Sequence, residues 1–264
     1  MGNIYEAVEQ AYHDNTAHHV VGRALLTRVD QLKPNREGSN SCCHKMNSNE
    51  LATLVLTIDQ LLPNLSRKTI MVTGSQQGAG VSTVACEMAK VAAARLGKRV
   101  LLLDADTLNP SQHLLFNLNS PVVLKRRDSE SGGEYGHSLS ANLCVATLPR
   151  TDSTQSGDES SHSDLFEELK HRFDLIVVDS SSSLLATGQT SLVENMDGVL
   201  FVVAAEKTEW SGAEALIAEV KGYGGVVLGV VFNRQRVHIP RTLSSWLTTV
   251  GKLLEGRKGE SPET

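Results

Sequence analysis

Apolar and polar positions follow two patterns along this chain, helical periodicity and short continuous apolar runs. The runs consist mainly of β-branched and leucine residues between polar turns, which is typical of strands buried on both faces. They occupy residues 69–72, 100–103, 143–148, 175–178, 199–203 and 226–232. Helical periodicity lies between most of the runs, at residues 84–95, 164–171 and 210–223. This alternation predicts an α/β fold with a mostly parallel sheet flanked by helices.

The two ends of the chain lack this alternation. Apolar residues recur at helical spacing in 4–12 and more weakly in 20–29, which predicts one or two small helices within residues 1–30. Residues 33–49 have the Pro, Gly, Ser and Asn content of a linker. The predicted units are an N-terminal helical extension and linker at 1–48, a main domain at 49–250 and a flexible tail at 251–264.

Within the main domain, polar segments separate the predicted elements. A helix with an apolar face begins near Leu51 and ends before Pro63, which cannot continue a helix. Residues 128–138 and 151–163 are rich in Ser, Gly and Asp, and this composition predicts mobile loops.

One short segment carries the candidate chemistry. It reads SQQGAGVST and follows the first apolar run, an order that predicts the strand, glycine-rich loop and helix of a phosphate-binding P-loop. Backbone N–H groups of such a loop cradle phosphates, and its hydroxyl holds Mg²⁺. Val81 stands where that pattern has a phosphate-contacting lysine. The predicted nucleotide-binding residues here are Ser75, Gln76, Gln77, Gly78, Ala79, Gly80, Val81, Ser82 and Thr83.

Three carboxylates follow the apolar runs. Asp104 and Asp106 come after the run 100–103, and Asp179 ends the run 175–178. Because open α/β sheets bind ligands at the carboxyl ends of their strands, we predict these three as catalytic residues beside the phosphate loop. Mg²⁺ prefers oxygen ligands, so Ser82, Asp104 and Asp179 are the predicted metal ligands, with ATP or ADP and Mg²⁺ as cofactors. An aspartate in this place also commonly caps the next helix.

Composition narrows the function classes. The 264 residues are enough for one main α/β domain, and the formal net charge of −5 disfavours a nucleic-acid partner. No apolar stretch approaches the roughly 18 to 20 residues that cross a bilayer, which predicts a cytoplasmic protein. The four cysteines have no paired C-x-x-C spacing, so reduced thiols are expected.

Several longer strings resemble one family, the bacterial tyrosine kinases. RVLLLDADTLNPSQHLLF, at residues 99–116, resembles their second Walker motif, and FDLIVVD, at 173–179, resembles their Walker B strand. MDGVLFVVAAEKT, at 196–208, and GVVLGVVFN, at 225–233, resemble their later strands in the same order. The similarity covers residues 49–245. The start MGNIYEAVEQA also looks like the leader of members associated with exopolysaccharide synthesis.

The resemblance implies a partner and an assembly. It implies a cytoplasmic protein that reaches the membrane through an inner-membrane chain-length determinant, or polysaccharide copolymerase, in capsule and exopolysaccharide biosynthesis. The wider group of MinD and ParA-like P-loop NTPases, the SIMIBI class, implies a homo-oligomer with nucleotide at the subunit edges. It also implies that Asn233 contacts the adenine ring, with a turn residue that ends a strand as the alternative.

The chain departs from the family pattern at four places. The kinase string Gly-Lys-Ser-Thr is GVST at 80–83, and Asp-Thr-Pro-Pro is DSSS at 179–182. The kinases phosphorylate a C-terminal tyrosine cluster, whereas the last tyrosine here is Tyr223. Their oligomerisation motif, Glu-x-x-Arg-x-x-Arg, is represented by Glu50, Thr53 and Leu56.

The missing lysine decides between two functions. A charge-assisted phosphate contact contributes about 1.5–3 kcal/mol, so its loss weakens binding by roughly tenfold to a hundredfold and reduces catalysis further. Lys90 is predicted to face away from the site, and Lys98 to lie in a turn on the opposite side from it. We therefore predict a catalytically weakened, nucleotide-binding regulatory module. The alternative is an active ATPase or protein-tyrosine kinase that uses a compensating cation, such as one from a neighbouring subunit.

Overall fold

A computed structural model of the chain describes residues 25–30, 48–107, 109–124, 135–149, 159–180, 190–204 and 210–235. The helix predicted in residues 4–12 and the tail at 251–264 lie outside these residues. The elements in chain order are β1 (Leu25–Asp30), α1 (Ser48–Leu61), β2 (Lys68–Thr73), α2 (Val81–Leu96), β3 (Val100–Asp104), α3 (Gln112–Leu115), β4 (His137–Ser140), β5 (Leu143–Thr147), α4 (Glu159–Arg172), β6 (Leu175–Asp179), α5 (Thr190–Val193), β7 (Gly198–Ala204), α6 (Trp210–Gly222) and β8 (Val227–Gln235).

The described strands form one sheet. Its eight strands run in the order β1-β8-β7-β2-β6-β3-β5-β4. All neighbouring pairs are parallel except β4 with β5. Parallel neighbours need a crossover connection, which the helices between the strands provide. The predicted α/β fold with a mostly parallel sheet flanked by helices is confirmed.

Apolar side chains form a separate core on each face of the sheet. Helices α1 and α2 cover one core, and helices α4 and α6 contribute to the other. Because successive strand residues point to opposite faces, Ile70 and Val72 lie in the first core and Met71 in the second. Burial on both faces explains why the central strands read as continuous apolar runs.

The sequence predictions for two segments were wrong in part. Helical periodicity was assigned to residues 20–29, but Leu25–Asp30 is a strand paired with β8. Hydrogen bonding to the free edge of β8 outweighs a weak amphipathic pattern, and Thr and Val suit a strand. The loop predicted at 128–138 runs into β4 at its end. Strand β4 lies at the sheet edge and is mostly exposed, so it needs no apolar pattern.

Other boundaries agree with the sequence. Helix α1 ends at Leu61, two residues before Pro63, and buries Leu51, Leu54 and Ile58 as predicted. Among the described residues, no helix combines the length and the apolar character that a membrane span requires.

Candidate functional site

The carboxyl ends of β2, β3 and β6 meet at one edge of the sheet. Asp104 at the end of β3 is the register partner of Asp179 at the end of β6. On its other side, Asp179 pairs with Val72 of β2. Strand β2 then leads into the loop before α2. Ser180 ties the two strands together, since its backbone N–H donates to the Val72 oxygen at 3.1 Å. The fold thus brings the predicted phosphate loop and carboxylates together.

The loop between β2 and α2 forms a cradle open to solvent. Helix α2 begins at Val81 with Gly80 as its N-terminal cap. The first N–H groups of a helix have no acceptor within it, and the helix dipole favours an anion there. Gly78 and Gly80 have φ angles of 79° and 93°, which glycine adopts without steric cost. No atom beyond its chain neighbours lies within 4 Å of a Cβ built on Gly78, so the outer side of the loop is open.

The side chain of Asn233 supports the inner side of the loop. Its Nδ2 donates a hydrogen bond to the Ala79 oxygen at 2.8 Å, and the residue is 7% exposed. A Cβ on Gly80 would collide with the same Nδ2 atom. The structure therefore assigns Asn233 a contact with the loop backbone, which the sequence analysis did not foresee. Its contact with adenine stays a prediction.

Replacing Gly80 with alanine should destabilise the fold more than replacing Gly78. Both changes put a side chain at positive φ, which costs about 1–2 kcal/mol. The methyl group at Gly80 also meets Asn233, and such overpacking adds about 1–3 kcal/mol. Urea denaturation of Gly80→Ala and Gly78→Ala measures the difference. Equal losses for the two variants would contradict the contact between the loop and Asn233.

Val81 fills the lysine position with an apolar side chain. It is 7% exposed and belongs to the core beneath α2. Its Cγ2 atom lies against Gly74, where an added Cβ would come within 2.9 Å. The position is therefore held by packing and brings no positive charge to the loop.

The two lysines considered as replacements are held elsewhere. Lys90 Nζ lies 2.9 Å from Glu87 Oε1 and 4.9 Å from the ring centroid of Phe116. Lys98 Nζ lies 2.8 Å from Asp59 Oδ2 on α1. These contacts confirm the prediction that neither lysine takes the place of the missing one.

Asp104 organises the segment that follows β3. Its Oδ1 accepts a hydrogen bond from the Asp106 N–H at 3.1 Å. Its Oδ2 accepts from the N–H groups of Ser111 and Gln112, at 2.7 and 2.8 Å, at the start of α3. Asp106 accepts in turn from the Asn109 N–H at 3.0 Å. Asp104 thus caps the next helix, which was the second interpretation that the sequence allowed.

Gln112 links the P-loop helix to β6, and the sequence analysis missed it. Its Nε2 donates to the Ser82 backbone oxygen at 2.9 Å and to Asp179 Oδ2 at 2.6 Å. The Ser82 hydroxyl accepts a hydrogen bond from the Ser111 hydroxyl at 3.4 Å. Gln112 is 1% exposed. No sequence signal marks this residue, because an uncharged side chain within an otherwise matching string indicates no chemistry.

The buried carboxylates at this edge bind protons unusually tightly. Burial raises the pKa of Asp179 to about 7, and the neighbouring Asp104 carboxylate adds to the rise. Hydrogen bonds from Gln112 and Ser82 act in the opposite direction. Burial also raises the pKa of Asp104, against the effect of its backbone N–H donors. Asp179 therefore changes its charge within the physiological pH range.

The predicted magnesium ligands lie together, and several of their oxygens already accept hydrogen bonds. Both Asp104 oxygens accept backbone hydrogen bonds, and the Gln112 nitrogen lies between Ser82 and Asp179. An amide nitrogen donates hydrogen bonds and does not coordinate Mg²⁺. Of the two Asp179 oxygens, Oδ1 has no hydrogen-bond partner. In the described part of the chain, no group of three or more His, Cys, Asp or Glu residues is arranged to hold a metal ion.

Sequence comparison relates the chain to two groups of P-loop proteins. No protein-family model matches it. It is 24% identical to tyrosine-protein kinase YwqD of Bacillus subtilis, over 73% of this chain and 83% of YwqD. It is 26% identical to the putative tyrosine-protein kinase CapB of Staphylococcus aureus, over 64% of this chain and 76% of CapB. Septum site-determining protein MinD of Thermotoga maritima is 24% identical, over 64% of this chain and 65% of MinD.

A further relative is much longer than this chain. The succinoglycan biosynthesis transport protein ExoP of Rhizobium meliloti is 25% identical over 68% of this chain, and the match spans 24% of ExoP.

Solved structures share the fold. The chimerical protein CapA2B2 has a TM-score of 0.64 at 21% identity, over 88% of this chain and 99% of that one. The kinase domain of the Escherichia coli tyrosine kinase ETK has a TM-score of 0.59 at 17% identity, over 73% of this chain and 78% of that one. At these identities the similarity establishes the fold, while function depends on the site.

Proposed function

Because the relatives of this chain are bacterial tyrosine-protein kinases and MinD-like ATPases, we propose that it is a cytoplasmic, catalytically weakened nucleotide-binding module. It holds ATP or ADP at the start of α2 with little or no turnover. It docks on a membrane chain-length-determinant protein and regulates exopolysaccharide assembly or export. The observation that carries this proposal is the buried Val81 at the start of α2, directly after the glycine-rich loop.

Binding and turnover depend on different parts of the site. The backbone cradle and the N-terminus of α2 are retained, and these groups bind phosphate without a side-chain charge. Phosphoryl transfer additionally needs positive charge on the oxygens that become more negative in the transition state, and one such donor contributes about 10² to 10³ in rate. With Val81 at the lysine position, the site keeps the capacity to bind phosphate and loses much of the capacity for phosphoryl transfer.

The proposal of a membrane partner rests on the relatives of this chain and on the fold. ExoP is a succinoglycan biosynthesis transport protein, and this chain matches one quarter of it. A domain that matches one part of a transport protein suits a partner of the remaining part. Copurification with membranes that contain a chain-length determinant tests this step.

Self-association through the family's arginine motif is not expected. Thr53 and Leu56 occupy the arginine positions on α1. The Thr53 hydroxyl donates to the Asn49 oxygen at 3.0 Å within the same helix, and Leu56 is 48% exposed. A homo-oligomer of this chain therefore needs a different contact surface.

Parallel measurements of binding and turnover test the proposal. A fluorescent ATP analogue is titrated into the full chain while phosphate release is followed, with the tyrosine-protein kinase YwqD as the comparison. We expect saturable binding, and phosphate release at least about a hundredfold slower than with YwqD. Turnover comparable to that of YwqD would favour an ATPase or tyrosine kinase with a compensating cation. No binding at millimolar nucleotide would leave a structural scaffold.

A further inference from the structure

A buried side-chain amide lies between two groups that commonly hold a divalent cation in P-loop proteins. Those groups are the hydroxyl residue of the P-loop and an aspartate at the end of a neighbouring strand. Here they are Ser82 and Asp179. The Nε2 atom of Gln112 is 2.9 Å from the Ser82 backbone oxygen and 2.6 Å from Asp179 Oδ2. The amide thus connects the P-loop helix to β6 within one side chain.

The backbone of Gln112 is fixed as firmly as its side chain. Asp104 accepts hydrogen bonds from the backbone N–H groups of Ser111 and Gln112, at 2.7 and 2.8 Å. Gln112 is 1% exposed and Asp104 is fully buried. Gln112 therefore contacts all three residues predicted to bind magnesium. It engages a carboxylate oxygen of Asp104 through its backbone N–H and one of Asp179 through its amide, and it contacts Ser82 at the backbone oxygen, not at the hydroxyl.

A divalent cation that binds Asp179 Oδ2 would have to displace this amide. Its entry would break the hydrogen bond to the Asp179 carboxylate and leave the amide bonded to the Ser82 backbone oxygen. The loss of a hydrogen bond to a charged group weakens cation binding at this oxygen by at least about tenfold. The amide also supplies the structural part of the cation's role, since it joins the same two elements by donating to their oxygens.

We propose that the Gln112 carboxamide replaces the divalent cation in this site, so that the chain binds nucleoside di- or triphosphates in a metal-independent way. The inference rests on the nucleotide binding proposed above and specifies its ligand further. The phosphates are held by the backbone N–H groups of the loop and of the first turn of α2. Mg²⁺ adds no contact between the protein and the nucleotide.

Nucleotide affinity with and without Mg²⁺ tests the proposal on the full chain. A fluorescent ADP analogue is titrated in excess EDTA and in millimolar Mg²⁺. The ratio of the two dissociation constants should be close to one, because metal and nucleotide then have no coupling free energy. An affinity that is tenfold or more higher in Mg²⁺ would overturn the proposal.

Substitution of Gln112 tests whether this side chain is the cause. In Gln112→Ala the space between Ser82 and Asp179 is vacated, and Mg²⁺ should then tighten ADP binding by about tenfold or more. Gln60→Ala removes an exposed glutamine from α1 and serves as the matched control, with a ratio that stays near one. A ratio near one in Gln112→Ala as well would show that another feature excludes the metal and would overturn the role of Gln112.

A thermal measurement without nucleotide separates this proposal from the proposed function. The melting temperature of the wild-type chain should be the same in EDTA and in millimolar Mg²⁺, whereas that of Gln112→Ala should rise in Mg²⁺. Gln112→Met keeps the volume of the side chain and replaces Gln112→Ala if the smaller residue does not fold. If no nucleotide binds in either buffer, the proposed function fails. Even if no nucleotide binds, a rise in the wild-type melting temperature with Mg²⁺ would overturn the proposal that Gln112 excludes the metal.

Discussion

Replacing Val81 with lysine should tighten nucleotide binding by roughly tenfold to a hundredfold. Val81 begins α2 directly beside the cradle, so a longer cationic side chain at this position starts within reach of a bound phosphate. A charge-assisted contact of that kind contributes about 1.5–3 kcal/mol to binding. Titration of a fluorescent ADP analogue into Val81→Lys and wild type measures the effect. The variant loses some packing against Gly74, so its folding is checked by circular dichroism.

Val81→Met is the matched control for this gain. Methionine extends the side chain without adding charge, so its nucleotide affinity should remain near that of the wild type. An equal gain in the methionine variant would attribute the effect to side-chain length. No gain in Val81→Lys would show that the loop geometry itself, and not only the missing charge, limits phosphate binding.

Replacing Asp179 with asparagine should stabilise the protein most at alkaline pH and less near pH 5, where only about a third of the pH-dependent loss in the wild type has occurred. An unfolded aspartate has a pKa of about 3.9. Because the folded state raises the pKa of Asp179 to about 7, the native state binds this proton more tightly. The resulting stability is fully present below about pH 4 and is lost as the pH rises through about 7. At pH 8 the loss reaches at most about 4 kcal/mol, which asparagine avoids.

Urea denaturation at pH 5 and pH 8 measures this difference. Asp164→Asn makes the same chemical change on the exposed face of α4 and should keep the wild-type pH dependence. The pKa of Asp104 is also raised by burial, so part of the pH dependence will remain in Asp179→Asn. Equal pH dependence in Asp179→Asn and wild type would contradict a buried, proton-binding carboxylate at this edge of the sheet.

The sheet could be predicted from the sequence because its central strands are buried on both faces. Continuous apolar runs between helical segments allow few other arrangements, and the six predicted strands lie beside one another in the order β8-β7-β2-β6-β3-β5. The two edge strands were harder to predict from the sequence. Leu25–Asp30 and His137–Ser140 are held by hydrogen bonds to one neighbour, and such bonds leave little trace in the apolar pattern.

The candidate site was predictable where chemistry depends on residue type and order. The glycines of the loop, Asp104 and Asp179 follow strands whose carboxyl ends must converge. The contacts of Gln112 and Asn233 were not predictable, because both are neutral amides whose role depends on which atoms lie opposite them after folding. Asn233 donates to the loop at Ala79, and Gln112 donates to Ser82 and Asp179.

The changes around the loop both reduce the positive charge available to a bound phosphate. Val81 removes the positive charge that would contact the phosphates, and the Gln112 amide holds an Asp179 oxygen that could otherwise bind a divalent cation. The backbone cradle and its support by Asn233 are retained. A site of this kind can recognise a phosphate but supplies little of the charge stabilisation that phosphoryl transfer requires. The central claim is therefore that this chain binds nucleotide without converting it.

A single-turnover experiment tests that claim most directly. Radiolabelled ATP is mixed with an excess of the full chain, incubated, and then chased with unlabelled ATP before the products are separated. The account predicts that the label is bound at first and is recovered after the chase as intact ATP, with no labelled phosphate and no labelled protein. Labelled phosphate or phosphotyrosine formed at a rate comparable to that of YwqD under the same conditions would contradict it.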